Sequence, residues 1–353
     1  MKRAVAIPDS DDTVRQVDLR IAPNLSAAKR PMPTGGAAWC GETYYDRPAL
    51  KAAPWGHLVS GYMFVAGLGG AAQMIGAVAR QSRSRNPDGV VRDARLIGAV
   101  SVLAGAAMLI ADLRTPQRWY NMLRIFRPTS PMSIGSYLLT TFGAATSVGV
   151  ADEVLRGRTA AGRRVMQAAP AAQTVAGITG AGLGIYTASL LGATSSPGWT
   201  ENPRRMAARF ASSSFASGAA ALALTARMRG RLPTARRLEL LACLGVLTHA
   251  AAGRVPGEKS PTTAEQRAPA KTTGSGTAAL LLTVVPLACY GLGRATSPRR
   301  ERLMSATGSF ALLAGAFLSR NDALEDGKRG SRDARRYFAQ AQPKASNRSD
   351  AGQ

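Results

Sequence analysis

From His57 to Ala79 the chain reads HLVSGYMFVAGLGGAAQMIGAVA, with no carboxylate, lysine or arginine until Arg80 closes it. At about 1.5 Å of rise per residue, roughly 20 apolar residues cross a hydrocarbon core, so this run has spanning length. Further runs follow at Leu96–Leu113, Met132–Val150, Val165–Leu191, Phe210–Ala226, Leu238–Ala252, Thr277–Leu292 and Ser305–Leu318. A soluble helix buries one stripe and keeps a polar face. Leu96–Ile110 and Thr277–Leu292 carry no charge anywhere around the helix. The expectation is an all-α integral membrane protein with about eight transmembrane helices, grouped as two four-helix bundles. The membrane domain is expected at 41–325, between a disordered polar tail at 1–40 and a polar tail at 326–353.

Those polar ends explain why the mean hydropathy is only −0.05. They also hold part of the net charge of +24, from 45 Lys and Arg against 21 Asp and Glu. Such a balance raises the question of nucleic acid, which requires Lys and Arg gathered on one face. Here the arginines stand in short clusters between apolar runs, which excludes that class of partner and leaves the lipid bilayer. The denser clusters, at Arg80–Arg95, Arg156–Arg164, Arg227–Arg237 and Arg294–Arg302, are expected on the cytoplasmic side. Both termini and the connection between the second and third runs then lie outside, in the cell membrane. Three cysteines and two histidines are too few and too scattered for a zinc site or an iron–sulfur cluster, so no haem or metal is expected in this chain.

The connection itself, within Met108–Gly135, reads MLIADLRTPQRWYNMLRIFRPTSPMSIG. It puts an acid, four arginines and a Trp-Tyr pair between two spanning runs. Asp112 ends the second run; an acid within a span is costly and is usually paired or functional, whereas one position further out it is an ordinary interfacial charge beside Arg114. His57 opens the first run at the same surface, and Tyr186 lies late in the fourth. Trp55, Trp119 and Trp199 fall at that boundary too, where tryptophans commonly form an aromatic belt. An imidazole, a carboxylate and a phenol at one depth suit a quinone, whose two carbonyl oxygens exchange protons as electrons move. His249, near the outer end of the sixth run, has no obvious partner and reads as structural. Gly180-Ala181-Gly182-Leu183-Gly184 has the small-residue spacing that lets helix backbones approach in lipid.

Several pieces in order resemble the NrfD/polysulfide reductase family of membrane subunits. They are Tyr44-Tyr45-Asp46-Arg47-Pro48, Ala111-Asp112-Leu113-Arg114-Thr115-Pro116-Gln117-Arg118 and Arg127-Pro128-Thr129-Ser130-Pro131-Met132-Ser133. Tyr186-Thr187-Ala188-Ser189-Leu190-Leu191 with Pro197-Gly198-Trp199, and Ala211 to Gly218, follow, so the resemblance covers about 41–340. The chain departs from the family at Arg114-Thr115 and at Ser319-Arg320-Asn321. The resemblance implies an eight-helix anchor that passes electrons between quinone or quinol (menaquinone or ubiquinone) and a docked iron–sulfur subunit, which relays them to a molybdopterin subunit. Alone, such a chain does not act on the terminal substrate. It implies His57, Asp112 and Tyr186 as the catalytic set, His57 and Asp112 handling protons and Tyr186 holding a carbonyl, with His57, Tyr62, Tyr186 and Trp199 around the quinone. Arg114, Arg118, Asn121, Arg124 and Arg127 would form the docking surface for the iron–sulfur partner. Two other classes remain open on sequence: a small-solute transporter, which would show paired halves and broken helices, and a purely structural anchor.

Overall fold

The computed structural model describes residues 50–82, 87–155, 159–254, 275–332 and 337. The expected N-terminal tail and the Tyr44–Pro48 motif lie outside the described residues. Among those residues there is no strand, and the chain forms long helices joined by short turns. They are α1 (His57–Gln81), α2 (Pro87–Asp112), α3 (Pro131–Leu155), α4 (Ala160–Gly192), α5 (Pro203–Met228) and α6 (Leu232–Ala252). A broken rod, α7, runs as Ser275–Ala279, Leu280–Val284 and Val285–Gly293, and α8 is Pro298–Arg332. Five of these, α1 to α4 and α7, are long and apolar enough to cross a membrane. The chain is therefore an all-helical, multi-pass membrane protein.

Local chemistry sets the helix ends. Proline opens α3, α5 and α8, where its missing N–H costs nothing. The Thr159 hydroxyl accepts the Gly162 N–H at 2.9 Å and caps α4. Gly230, at φ 72°, takes the left-handed turn between α5 and α6 that a side chain would strain. In α7, Pro286 cannot donate to the preceding turn; the helix widens into a π turn at Leu280–Val284, where the Val285 N–H reaches the Leu280 carbonyl.

Successive helices alternate in direction, so one end of the molecule gathers the start of α1 and α3 with the end of α2, α4 and α8. Here it is called the His57 end, and its opposite the Gln81 end. Around the middle, α1 packs on α2, α4, α5 and α8. Its neighbours come close because small residues face one another. A Cβ on Gly180 of α4 would run into the Gly70 backbone of α1, 2.8 Å from its Cα, so the spacing read at Gly180–Gly184 does bring backbones together. The core between α1, α2, α5 and α6 is largely alanine, with Ala72, Ala94, Ala216, Ala219, Ala223 and Ala242 almost fully buried.

α8 runs on past 325 to Arg332, with Gly327, Gly330 and Ser331 buried. The cause is a one-turn helix, Pro197–Thr200, whose Trp199 side chain occupies the space a Cβ on Gly327 would take. The Trp199 indole N–H donates to the Ala323 carbonyl at 2.7 Å, and the Ser196 hydroxyl donates to Gly327 at 2.5 Å. A polar composition hid this part of α8, yet packing keeps it helical.

Candidate functional site

The proposed titratable residues share the His57 end but are not one hydrogen-bonded cluster. His57 is exposed at the first position of α1. Its Nδ1 lies 2.9 Å from Asn321 Oδ1 on α8, and Nε2 is outside that bond. The Ser60 hydroxyl, one turn on, binds the His57 carbonyl at 3.0 Å and reaches the same Asn321 oxygen at 3.4 Å. The ring is thus tied to a residue 264 positions away. Nothing in the sequence pattern paired these two, although Asn321 stood within the Ser319-Arg320-Asn321 departure.

Tyr186 is half-buried, and its hydroxyl donates to the Pro131 carbonyl at 2.9 Å. The ring fills the space over Gly135, where any Cβ would overlap it. The Thr-Ser-Pro-Met-Ser stretch is therefore tied to α4 through the first residue of α3. Tyr62 is 5% exposed, its ring 3.4 Å from where a Cβ on Gly105 of α2 would stand, inside a cluster with Met63, Ala188, Leu191 and Trp199. Trp199 is 2% exposed and stacks on Trp55 at 5.5 Å, so it is an interior wedge rather than a belt residue. By fixing Ala323 it also sets the turn of α8 that presents Asn321.

Asp112 is exposed at the end of α2 and makes no hydrogen bond or ion pair among the described residues. It does not meet His57 or Tyr186. Beyond it, a 3₁₀ helix at Pro116–Leu123 lies on the surface with none of its residues buried. Arg114, Arg118, Asn121, Arg124 and Arg127 are all exposed, interleaved with exposed Trp119, Tyr120, Ile125 and Phe126. The element is anchored by Tyr137, whose hydroxyl donates to the Leu123 carbonyl at 2.9 Å and whose ring meets Phe126 edge-on at 5.0 Å.

Sequence reasoning missed a second set in α5, α6 and α8. Arg320, 2% exposed, donates to the Ser213 and Ser214 hydroxyls at 2.8 Å each and to the Phe210 carbonyl at 2.9 Å. Its guanidinium lies 3.9 Å over the Phe210 ring. His249, 5% exposed, does find a partner, the Arg209 carbonyl at 3.0 Å. A third chain of polar groups crosses the interior of the first four helices. Gln173 donates to Gln73 Oε1 at 2.7 Å, Gln73 to Thr146 at 3.3 Å, and Arg95 to Gln173 at 3.1 Å. Among the described residues no three His, Cys, Asp or Glu side chains gather as a metal ion would require.

The His57 end of this helical membrane protein thus carries an imidazole, a phenol and an exposed cationic surface element. The family model described as polysulphide reductase, NrfD, matches residues 48–253, more than half of the chain, and the protein belongs to that family. NrfD proteins are membrane subunits of quinone-linked oxidoreductases. The match ends at the close of α6, short of the 41–340 that the motifs suggest, so α7 and α8 stand beyond it. No curated protein matches the chain.

Proposed function

We propose that the chain is the quinone-reactive membrane subunit of an oxidoreductase complex. It exchanges electrons between quinone or quinol in the cell membrane and a docked iron–sulfur subunit, which serves a molybdopterin subunit. All eight helices cross the bilayer as two four-helix bundles with both termini outside. Supporting the bundles, α1 to α4 pack in a ring, while α5 lies on α6 and α8, and α7 on α8.

The observation that carries the reading is the place of His57 within an NrfD chain: one ring nitrogen lies against Asn321 and the other is outside that bond. A quinol hydroxyl must lose a proton as its electrons leave, and the second imidazole nitrogen is the group placed to take it. Tyr186 holds the second quinone oxygen. Its bond to Pro131 presets its direction, and exchanging a backbone carbonyl for a quinone carbonyl replaces one O–H···O bond with another. Tyr62 and Trp199 shape the apolar wall, and Asp112, exposed at the same end of the molecule, passes protons to the aqueous surface. Arg114, Arg118, Asn121, Arg124 and Arg127 receive an acidic face of the iron–sulfur subunit.

His57→Phe tests this. Quinol-linked electron transfer in membranes should fall by about 100-fold or more, while the partner subunits still co-purify. Wild-type turnover in this variant would refute the assignment. Tyr186→Phe should also impair turnover, and it loses one hydrogen bond of about 1 kcal/mol between α4 and Pro131.

A further inference from the structure

The start of α1 and the far part of α8 are joined twice. His57 Nδ1 lies 2.9 Å from Asn321 Oδ1. Two residues before His57, Trp55 stacks on Trp199 at 5.5 Å. The Trp199 indole N–H donates to the Ala323 carbonyl at 2.7 Å, two residues beyond Asn321. His57, Asn321, Ala323, Trp199 and Trp55 therefore close a circuit of contacts between the two helices. Ser60, which has no exposed surface, backs the first junction. Its hydroxyl donates to the His57 carbonyl at 3.0 Å and stands 3.4 Å from Asn321 Oδ1.

His57 needs such a tether more than a residue in mid-helix does. It is exposed at the first position of α1, where no earlier turn of helix limits its ring. Proton transfer requires the ring to sit within hydrogen-bond reach of its partner, and a displacement of about 1 Å can cost about 100-fold in rate. Asn321 is short and half-buried, and its helix is pinned again where the Ser196 hydroxyl donates to the Gly327 carbonyl at 2.5 Å. Glu325, one turn along the same face of α8, is bonded to Lys328 at 2.7 Å. The α8 side chain that meets the imidazole is the Asn321 amide.

We infer that Asn321 is a positioning residue for the proton step at His57. It aims the imidazole so that a quinol can reach the ring nitrogen outside the bond, and the Trp55–Trp199–Ala323 contacts keep Asn321 in register. This role rests on the quinone reading above. It brings α8, which stands beyond the family match at 48–253, into the site.

Quinol oxidation by the assembled complex in membranes gives the first test. Asn321→Leu, similar in size but without a polar side-chain atom, should lower kcat and kcat/KM together by about tenfold. Asn321→Asp keeps an oxygen at the same reach and should restore turnover to within about threefold of wild type. Both variants should melt close to the wild type in detergent. A second readout needs no quinone. The chain has two histidines, His57 and His249, so nitrogen NMR of the histidine-labelled protein in lipid bilayers distinguishes both rings. Asn321→Leu should shift the His57 ring signals and leave those of His249, bonded to the Arg209 carbonyl, in place. Undiminished turnover in Asn321→Leu, unmoved His57 signals, or a loss that Asn321→Asp does not repair would each overturn the role. Full turnover in His57→Phe would remove the quinone reading itself. An inactive His57→Phe beside an unimpaired Asn321→Leu would remove the positioning role alone.

Discussion

The two ends of this bundle treat charge in opposite ways. At the Gln81 end, cations meet carboxylates inside the protein. Arg95 of α2, 2% exposed, bonds Asp152 at 2.8 Å and Glu153 at 2.9 Å on α3. Arg227 of α5 bridges Glu239 of α6 at 2.5 Å and Glu301 of α8 at 3.0 Å, and Arg236 forks onto Glu301. Asp93 takes both Arg229 and Arg231. At the His57 end the arginines of the surface element stand exposed, Asp112 is unpaired, and His57 keeps one nitrogen open. Charge at one end fastens helices to each other, and charge at the other is held available. The contrast also bears on orientation, because several arginines that would mark the cytoplasmic side are spent on ion pairs.

Breaking the fastened end should have the largest effect. Glu239→Ala removes an almost fully buried carboxylate that accepts from both Arg227 and Ser305, and strands Arg227 between helices. Loss of one partner from a buried pair costs about 3–5 kcal/mol, so the purified variant should melt well below the wild type in a detergent thermal ramp, if it accumulates at all. An unchanged melting temperature would mean the cluster is ornamental to stability. At the other end, Arg118→Glu with Arg124→Glu should leave melting unchanged but slow capture of the iron–sulfur partner. Rim charges act mainly on association, so a loss of about tenfold in on-rate, fading in high salt, is expected; equal rates in surface-capture measurements would detach this element from docking.

The smallest effect is a pH dependence. The Arg236 and Arg227 guanidiniums hold the Glu301 carboxyl down to about 2, against an ordinary 4.5. A lowered carboxyl stabilises the fold fully above its unfolded value, and that contribution drains away as pH falls from 4.5 toward 2. The melting advantage of the wild type over Glu301→Gln should therefore be flat at neutral pH and shrink only across that acid interval. An advantage that disappears near neutrality instead would assign it to another group.

Much of the first half was legible in the sequence because its few buried polar groups, among them Gln73, Thr146 and Gln173, are outweighed by apolar residues. α1 to α4 and α7 are apolar on length and composition alone. α5, α6 and α8 are harder to read because their polar residues are satisfied internally. Ser213 and Ser217 bond carbonyls one turn back at 2.7 Å, and Arg320 then uses Ser213 and Ser214. A hydropathy window counts these as exposed polarity. The order of the apolar runs put His57, Asp112 and Tyr186 at one end, yet it could not show that Tyr186 is bonded to Pro131 or that Asp112 stands apart. Asn321 and the seat of Trp199 on Gly327 depend on α8 returning to α1 and to the Pro197–Thr200 turn, contacts that no local pattern encodes.

The meeting of Gly70 and Gly180 has a mechanical consequence. Two backbones in direct contact make a pivot with no side chain to compress, and the proposed base and hydrogen-bond donor ride on the two rods that cross there. By helix rise, His57 is about 20 Å from the pivot along α1 and Tyr186 about 9 Å along α4. The lever has unequal arms, so a small change in crossing angle swings the imidazole roughly twice as far as the phenol. A methyl group at either glycine would reset the gauge between them from deep in the membrane, without touching either residue.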